Sequence, residues 1–137
     1  MPTAKWYRKG YLNLHLGNID LANHDIKVML SDSSITPDQA NAEIPADVVN
    51  EVVGTGYVAG GKSLANKLLF TSGDTVVFDA DDVLWATSTI TARHAHIYDA
   101  TANLLIGFIS ADADVSSTSG DFTIPWDPLG IISDPIL

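Results

Sequence analysis

TITARHAHIY, residues 89–98, sets the fold class. Ile90, Ala92, His94, His96 and Tyr98 fall on one parity and Thr89, Thr91, Arg93, Ala95 and Ile97 on the other. The run is rich in β-branched and aromatic residues, has no helical period, and predicts a strand. Upstream, residues 67–70 (KLLF) and 75–78 (TVVF) are short runs of the same kind, bounded by Ser72-Gly73-Asp74 and by the acidic stretch 79–82. Downstream, residues 104–109 and 122–126 continue the pattern, separated by the polar segment 116–121. Nearer the N-terminus, Ile26, Val28 and Leu30 alternate with Lys27 and Met29, and Leu12, Leu14 and Leu16 alternate with Tyr11, Asn13 and His15. Both read as strands, with Gly17-Asn18 as a turn between them. Seven or eight short strands punctuated by turns predict an all-β, single-domain antiparallel β-sandwich, jelly-roll-like or a related barrel.

Little in the chain opposes that reading. Residues 46–53 follow Pro45 and can form two helical turns, yet Val48, Val49, Val52 and Val53 suit a strand equally well. Residues 32–45 read as a long polar loop, and Pro125 marks an edge strand or a bulge. The 137 residues fit one domain, 1–137, with no internal boundary or repeat. Residues 128–137 read as an extended tail with apolar contacts.

Composition narrows the function classes. A 46% hydrophobic and 18% charged chain is a packed globule, and with no cysteine it has neither disulfides nor thiolate chemistry. No apolar run approaches the roughly 20 residues of a membrane span, and the N-terminal MPTAKWYRKGY has no apolar signal core, so Sec export is not expected. A net charge of -10 argues against nucleic-acid binding, which needs a basic footprint. The charge is uneven. Lys5, Arg8 and Lys9 lie in the first nine residues, and the rest carries 4 basic against 17 acidic residues. Residues 1–10 therefore read either as an arm that docks on an acidic surface or as a solvated terminus. As an arm, Lys5, Arg8 and Lys9 supply charge and Trp6, Tyr7 and Tyr11 apolar area. Its removal is then expected to leave a folded body.

Chemistry-bearing motifs are few. Residues 56–63, GYVAGGKS, satisfy the G-x-x-x-x-G-K-[ST] pattern, and residues 76–79 can pose as the acidic strand end that helps hold magnesium. A phosphate loop needs a strand before it and a helix after it, and the Ser72-Gly73-Asp74 turn leaves no room for that helix. A glycine-rich connector is the expected role of Gly56, Gly60 and Gly61, with Lys62 solvated. Asp79, Asp81 and Asp82, and again Asp112 and Asp114, offer hard oxygen ligands for calcium but lack the glycine and distal glutamate of an EF-hand. His94 and His96 share a strand face as two zinc-type ligands without a third, so packing or an interface is expected of them. His15 and His24 have no visible partner, and Trp6, Trp85 and Trp126 read as core or interface residues. No serine sits in a nucleophile elbow. No catalytic, cofactor or metal residue is assigned.

The segments DIKVMLSDSSITPD (25–38), VVGTGYVAGGKSL (52–64), FDADDVLW (78–85), TITARHAHIY (89–98), LIGFI (105–109) and GDFTIPWD (120–127) together resemble a family of small structural proteins of tailed double-stranded DNA bacteriophages. The resemblance covers about residues 25–130. It implies a virion protein, made in the host cytoplasm and placed on the capsid surface, with no enzymatic role. As a decoration or cement protein it would bind the major capsid protein and its own copies, as a homo-oligomer, a trimer by avidity. A tail or head-fibre component is the alternative, and a nucleotide-binding protein through Gly56 to Ser63 a more distant one.

Overall fold

A computed structural model describes residues 3–135. The elements run β1 (Lys5–Trp6), α1 (Arg8–His15), β2 (Ile26–Ser31), a single 3-10 turn (Pro45–Asp47), β3 (Lys62–Ser63), β4 (Leu68–Ser72), β5 (Thr75–Asp79), β6 (Val83–Asp99), β7 (Leu104–Ile124) and β8 (Ile132–Pro135). One sheet has the order β1-β7-β6-β2-β3 and the other β4-β5-β8, with every pairing antiparallel. The fold is an all-β two-sheet sandwich, not a closed barrel.

The strand at residues 89–98 is the middle of β6, and β6 with β7 forms the long hairpin on which the domain is built. The register slips at four places. Between the pairs Ala92↔Val115 and His94↔Ser110, four residues of β7 stand against the single Arg93, so residues 111–114 bulge outward. Near the other end, Thr87 (φ 48) and Ser119 (φ 46) adopt left-handed backbone on facing strands, and the hairpin bends there. Bulges increase local twist and let one long hairpin wrap a core.

The core lies between the sheets. Ile26, Val28 and Leu30 of β2 meet Trp85, Ile90, Phe122 and Ile124 of the hairpin and Phe78 and Ile132 of the smaller sheet. Trp85 stands opposite Phe122, rings edge to face at 6.0 Å. The opposite face of the large sheet carries Met29, Ser31, His94, His96, Tyr98 and Phe108. It is covered by the polar segment that follows β2: Gln39 and Glu43 accept backbone bonds from Arg8 and Leu105, and Ile35 bonds His94.

Two expectations change. Residues 11–16 are not a strand: residues 8–15 are helical, and Leu12 and Leu16 face solvent. The residues the helix turns toward the body are instead Gly10, Tyr11, Asn13 and Leu14. Gly10 lies so close to the Leu105 and Ile106 carbonyls that a Cβ would meet both at 2.6 Å. Gly17 (φ 79) ends the helix in a Schellman arrangement, with Asn18 N–H on the Asn13 carbonyl and Gly17 N–H on that of Leu14. At the chain end, where an extended segment with apolar contacts was expected, Ile131 and Ile132 are buried, and β8 completes the smaller sheet. Residues 136–137 lie outside the described residues.

The second change concerns the docking arm, of which residues 1–2 lie outside the described residues. From residue 3 on it belongs to the body. Lys5 and Trp6 pair with Phe108 and Gly107, Ala4 N–H bonds the Ile131 carbonyl, and Tyr7 is 1% exposed. A buried tyrosine is worth several kcal/mol, so this segment contributes to the stability of the body.

Candidate functional site

The six residues expected to touch a partner divide between surface and interior. Lys5 and Arg8 are exposed, and Lys9 is half-buried. Trp6 and Tyr11 come together edge to face at 5.3 Å. Both are fastened to β8: Trp6 Nε1–H donates to the Ser133 carbonyl at 2.9 Å, and the Tyr11 hydroxyl donates to Asp134 Oδ1 at 2.6 Å. That carboxylate bond pushes the Tyr11 phenol upward. Tyr7 points inward and offers a partner nothing. The six do not form one patch: Lys5 pairs with Phe108 and Trp6 with Gly107, so their side chains take opposite faces of the sheet, and Lys9 lies near enough to Asp47 of the covering loop to lower that carboxyl.

Among the described residues the ion pairs are His24–Asp99 and Arg93–Asp114. In the body, Lys62 donates to the Leu84 carbonyl at 2.6 Å and Lys67 to that of His24. Lys5, Arg8 and Lys9 make no such side-chain bond among the described residues; Lys5 and Arg8 are exposed, and Lys9 lies near enough to Asp47 to lower its carboxyl.

Beneath this segment runs a buried polar chain. The Tyr7 hydroxyl is 2.7 Å from His96 Nδ1, and Ser31 Oγ is 2.8 Å from His96 Nε2. A cleft of about 130 Å³ under residues 35–49 reaches Tyr7 and His96. Serine, histidine and phenol in sequence invite a nucleophilic reading. The electrostatics oppose it. Burial, with the nearby His94 ring adding to it, pushes His96 down to about 3, too weak a base to activate a hydroxyl at neutral pH. Ser31 is fully buried. Burial also raises the Tyr7 phenol far above its ordinary value. The chain is suited to holding the sheet, the N-terminal segment and the covering loop together.

His94 and His96 do share a face, with ring centroids 6.3 Å apart, but neither has a nitrogen to spare. His94 contacts Ser110 Oγ at 2.8 Å and the Ile35 carbonyl at 2.9 Å. Among the described residues no three His, Asp or Glu side chains converge on a point where a metal would sit. His24 does have a partner: its Nδ1 lies 2.6 Å from Asp99 Oδ2. The two are 75 residues apart, and no local spacing announces them.

The glycine-rich segment is a connector with its own anion. Glu51 Oε2 accepts the Gly60 N–H at 2.7 Å and the Tyr57 hydroxyl at 2.6 Å, so a carboxylate of the chain occupies the place of a bound phosphate. Gly56, Gly60 and Gly61 all have positive φ, and strand β3 follows where a phosphate loop needs a helix. The aspartates are also engaged locally. Asp81 accepts from Asn66, Asp82 from the Trp126 N–H and Asp114 from Arg93.

Comparison with protein-family models, with curated proteins and with solved structures finds no match.

Proposed function

We propose that this chain is a structural protein of a tailed-bacteriophage virion, a decoration protein that binds the outer surface of the head and acts there as a small homo-oligomer. The observation that carries the reading is the uneven charge: Lys5, Arg8 and Lys9, exposed or half-buried, lie in the first nine residues, and the rest of the chain carries 4 basic against 17 acidic residues. Among the described residues these three cations, like Lys27, make no hydrogen bond or ion pair with their side chains, while Lys62, Lys67 and Arg93 are engaged within the chain. Such a polarity orients the molecule on approach, with the basic N-terminal segment toward an acidic shell and the acidic body toward solvent. The rings of Trp6 and Tyr11 then contribute desolvated area, the usual source of binding energy at an interface.

Charge reversal tests these cations without touching the fold. The triple variant Lys5→Glu, Arg8→Glu, Lys9→Glu keeps Trp6, Tyr7 and Tyr11. It also places acids near the N-terminus of α1, where the helix dipole favours them. Expanded heads should bind the parent stoichiometrically, more weakly as salt rises, and should not retain the variant. Full occupancy by the variant would refute docking through these cations. A count of only a few copies per virion, at the tail, would move the protein to the fibre alternative.

A further inference from the structure

Strand β4 is the outer edge of the smaller sheet, and it has none of the devices that keep an edge single. LLFTS contains no charge and no proline, and its register with β5 is unbroken from Leu68↔Asp79 to Ser72↔Thr75. Leu68, Leu69 and Phe70 are 60%, 48% and 44% exposed. The strand is joined to β5 by the two-residue turn Gly73-Asp74, with Gly73 at φ 57. In such a hairpin the flanking pair, Ser72 and Thr75, exchanges both of its hydrogen bonds, and bonding alternates from there. Leu68 and Phe70 therefore bond inward to β5. The N–H and C=O groups of Leu69 and Thr71 point outward, with no backbone partner among the described residues.

We propose that β4 pairs antiparallel with β4 of a second copy about a two-fold axis at Phe70. The strand is complementary to itself in that register. Leu69 of one copy meets Thr71 of the other, and the two such pairs satisfy all outward-facing backbone groups of both residues. Phe70 meets Phe70, and Leu68 meets Ser72. At each end Lys67, whose Nζ is held on the His24 carbonyl of its own chain, lies opposite Gly73 of the second copy. Moving the axis to Leu69 leaves both Asp74 side chains beyond the paired region, and moving it to Thr71 sets Leu68 against Asp74. The pairing joins the two small sheets into one of six strands, and because the contact is isologous it closes at two copies. It replaces the three-fold arrangement expected from avidity.

This inference does not rest on the head-binding proposal, and the two respond oppositely to salt. Each copy carries a net charge of -10, so screening should tighten the pair while it weakens docking on the shell.

The absence of cysteine makes the test clean. In a non-hydrogen-bonded antiparallel pair the Cα atoms are about 4.5 Å apart, within reach of a disulfide. Phe70→Cys should form an intermolecular disulfide under mild oxidation. Leu68→Cys alone should not, because the two copies of that position stand roughly 13 Å apart along the strands. An equal mixture of Leu68→Cys and Ser72→Cys should give the mixed disulfide. In sedimentation the parent chain should be a two-copy species. Thr71→Pro, which removes only an outward N–H, should weaken the pair at least tenfold with an unchanged far-UV spectrum. A parent that stays monomeric, or that assembles in threes, overturns the proposal. So does equally rapid cross-linking of Phe70→Cys and Leu68→Cys. A monomeric parent that loses head binding on Thr71→Pro would give the edge to a capsid strand and overturn self-pairing.

Discussion

Lowering the pH should unfold this protein earlier than its carboxylates require, because His96 must stay neutral in the folded state. The ring is fully buried between the Tyr7 hydroxyl, brought by the segment before α1, and the Ser31 hydroxyl of β2. Along β6 it faces His94, itself pushed down first by burial. Acidic groups reach its neighbours rather than the ring itself: Asp38 of the covering loop acts on Tyr7, and Asp32 and Asp114 on His94. These surroundings move His96 from 6.5 to about 3. Above pH 6.5 the imidazole is neutral in both states and stability is complete. Between 6.5 and about 3 the unfolded chain binds a proton that the folded chain refuses, and stability falls by about 1.4 kcal/mol per pH unit. Two units of acidification, to pH 4.5, cost roughly 3 kcal/mol, a large part of the 5–15 kcal/mol that holds a domain together.

The assay is urea unfolding at pH 7.5, 6.5, 5.5 and 4.5, for the parent and for His96→Gln. The glutamine keeps a donor and an acceptor but does not titrate. Asp20, Asp32 and Asp47, each held low mainly by hydrogen bonds from neighbouring groups, add their own loss at lower pH in both proteins. His94 also contributes to both. The difference in slope therefore isolates His96, and its ring resonances in the folded protein should not move down to pH 4.5. A folded-state titration of that ring near 6.5, or parallel stability curves for the two proteins, would refute the reasoning.

Gly61→Ala should be severely destabilising, by more than about 2 kcal/mol, because its φ is +77 and a Cβ would collide with the Val28 carbonyl and crowd Met29 Cα, both backbone of β2. Gly73→Ala, also at positive φ but in open space, should cost only about 1 kcal/mol, and thermal melts of the pair separate collision from strain. Lys62→Ala should change stability by no more than about 0.5 kcal/mol, since the side chain is exposed and its bond to Leu84 is at the surface. Equilibrium dialysis showing micromolar ATP binding that this substitution abolishes would return Gly56 and Lys62 to nucleotide chemistry.

The strands were legible where burial and backbone agree. Ile26, Val28 and Leu30 alternate because one face of β2 meets the core, and β6 reads clearly for the same reason. At the N-terminus the signal misled. Leu12, Leu14 and Leu16 alternate, yet two of them face solvent, and what makes residues 8–15 a helix is contact between Gly10 and β7, nearly 100 residues away in sequence. The informative local residue was Gly17, which ends a helix as readily as it makes a strand turn. The buried chain of Tyr7, His96 and Ser31 was illegible because its members come from three distant segments. The glycine segment could be recognised as a connector from the helix it lacks, but not that Glu51 would fill its anion position.

Anchoring changes what the basic segment can do and how it must be tested. A flexible arm gives up conformational entropy for every residue it orders on binding, roughly 1–2 kcal/mol of backbone freedom each. Here that ordering has occurred in the free protein, through the β1–β7 pairing, the Tyr7 burial and the bonds of Trp6 and Tyr11 to β8. A pre-organised surface needs fewer contacts for the same affinity. The same anchoring removes truncation as a test. Deleting residues 1–10 takes away an edge strand, a buried tyrosine and the first turn of α1, so it should lower stability by several kcal/mol wherever the protein docks. Loss of head binding in that truncation would follow from unfolding alone. Reversing charge at Lys5, Arg8 and Lys9 leaves Tyr7 in place, and only there does a loss of binding speak for docking.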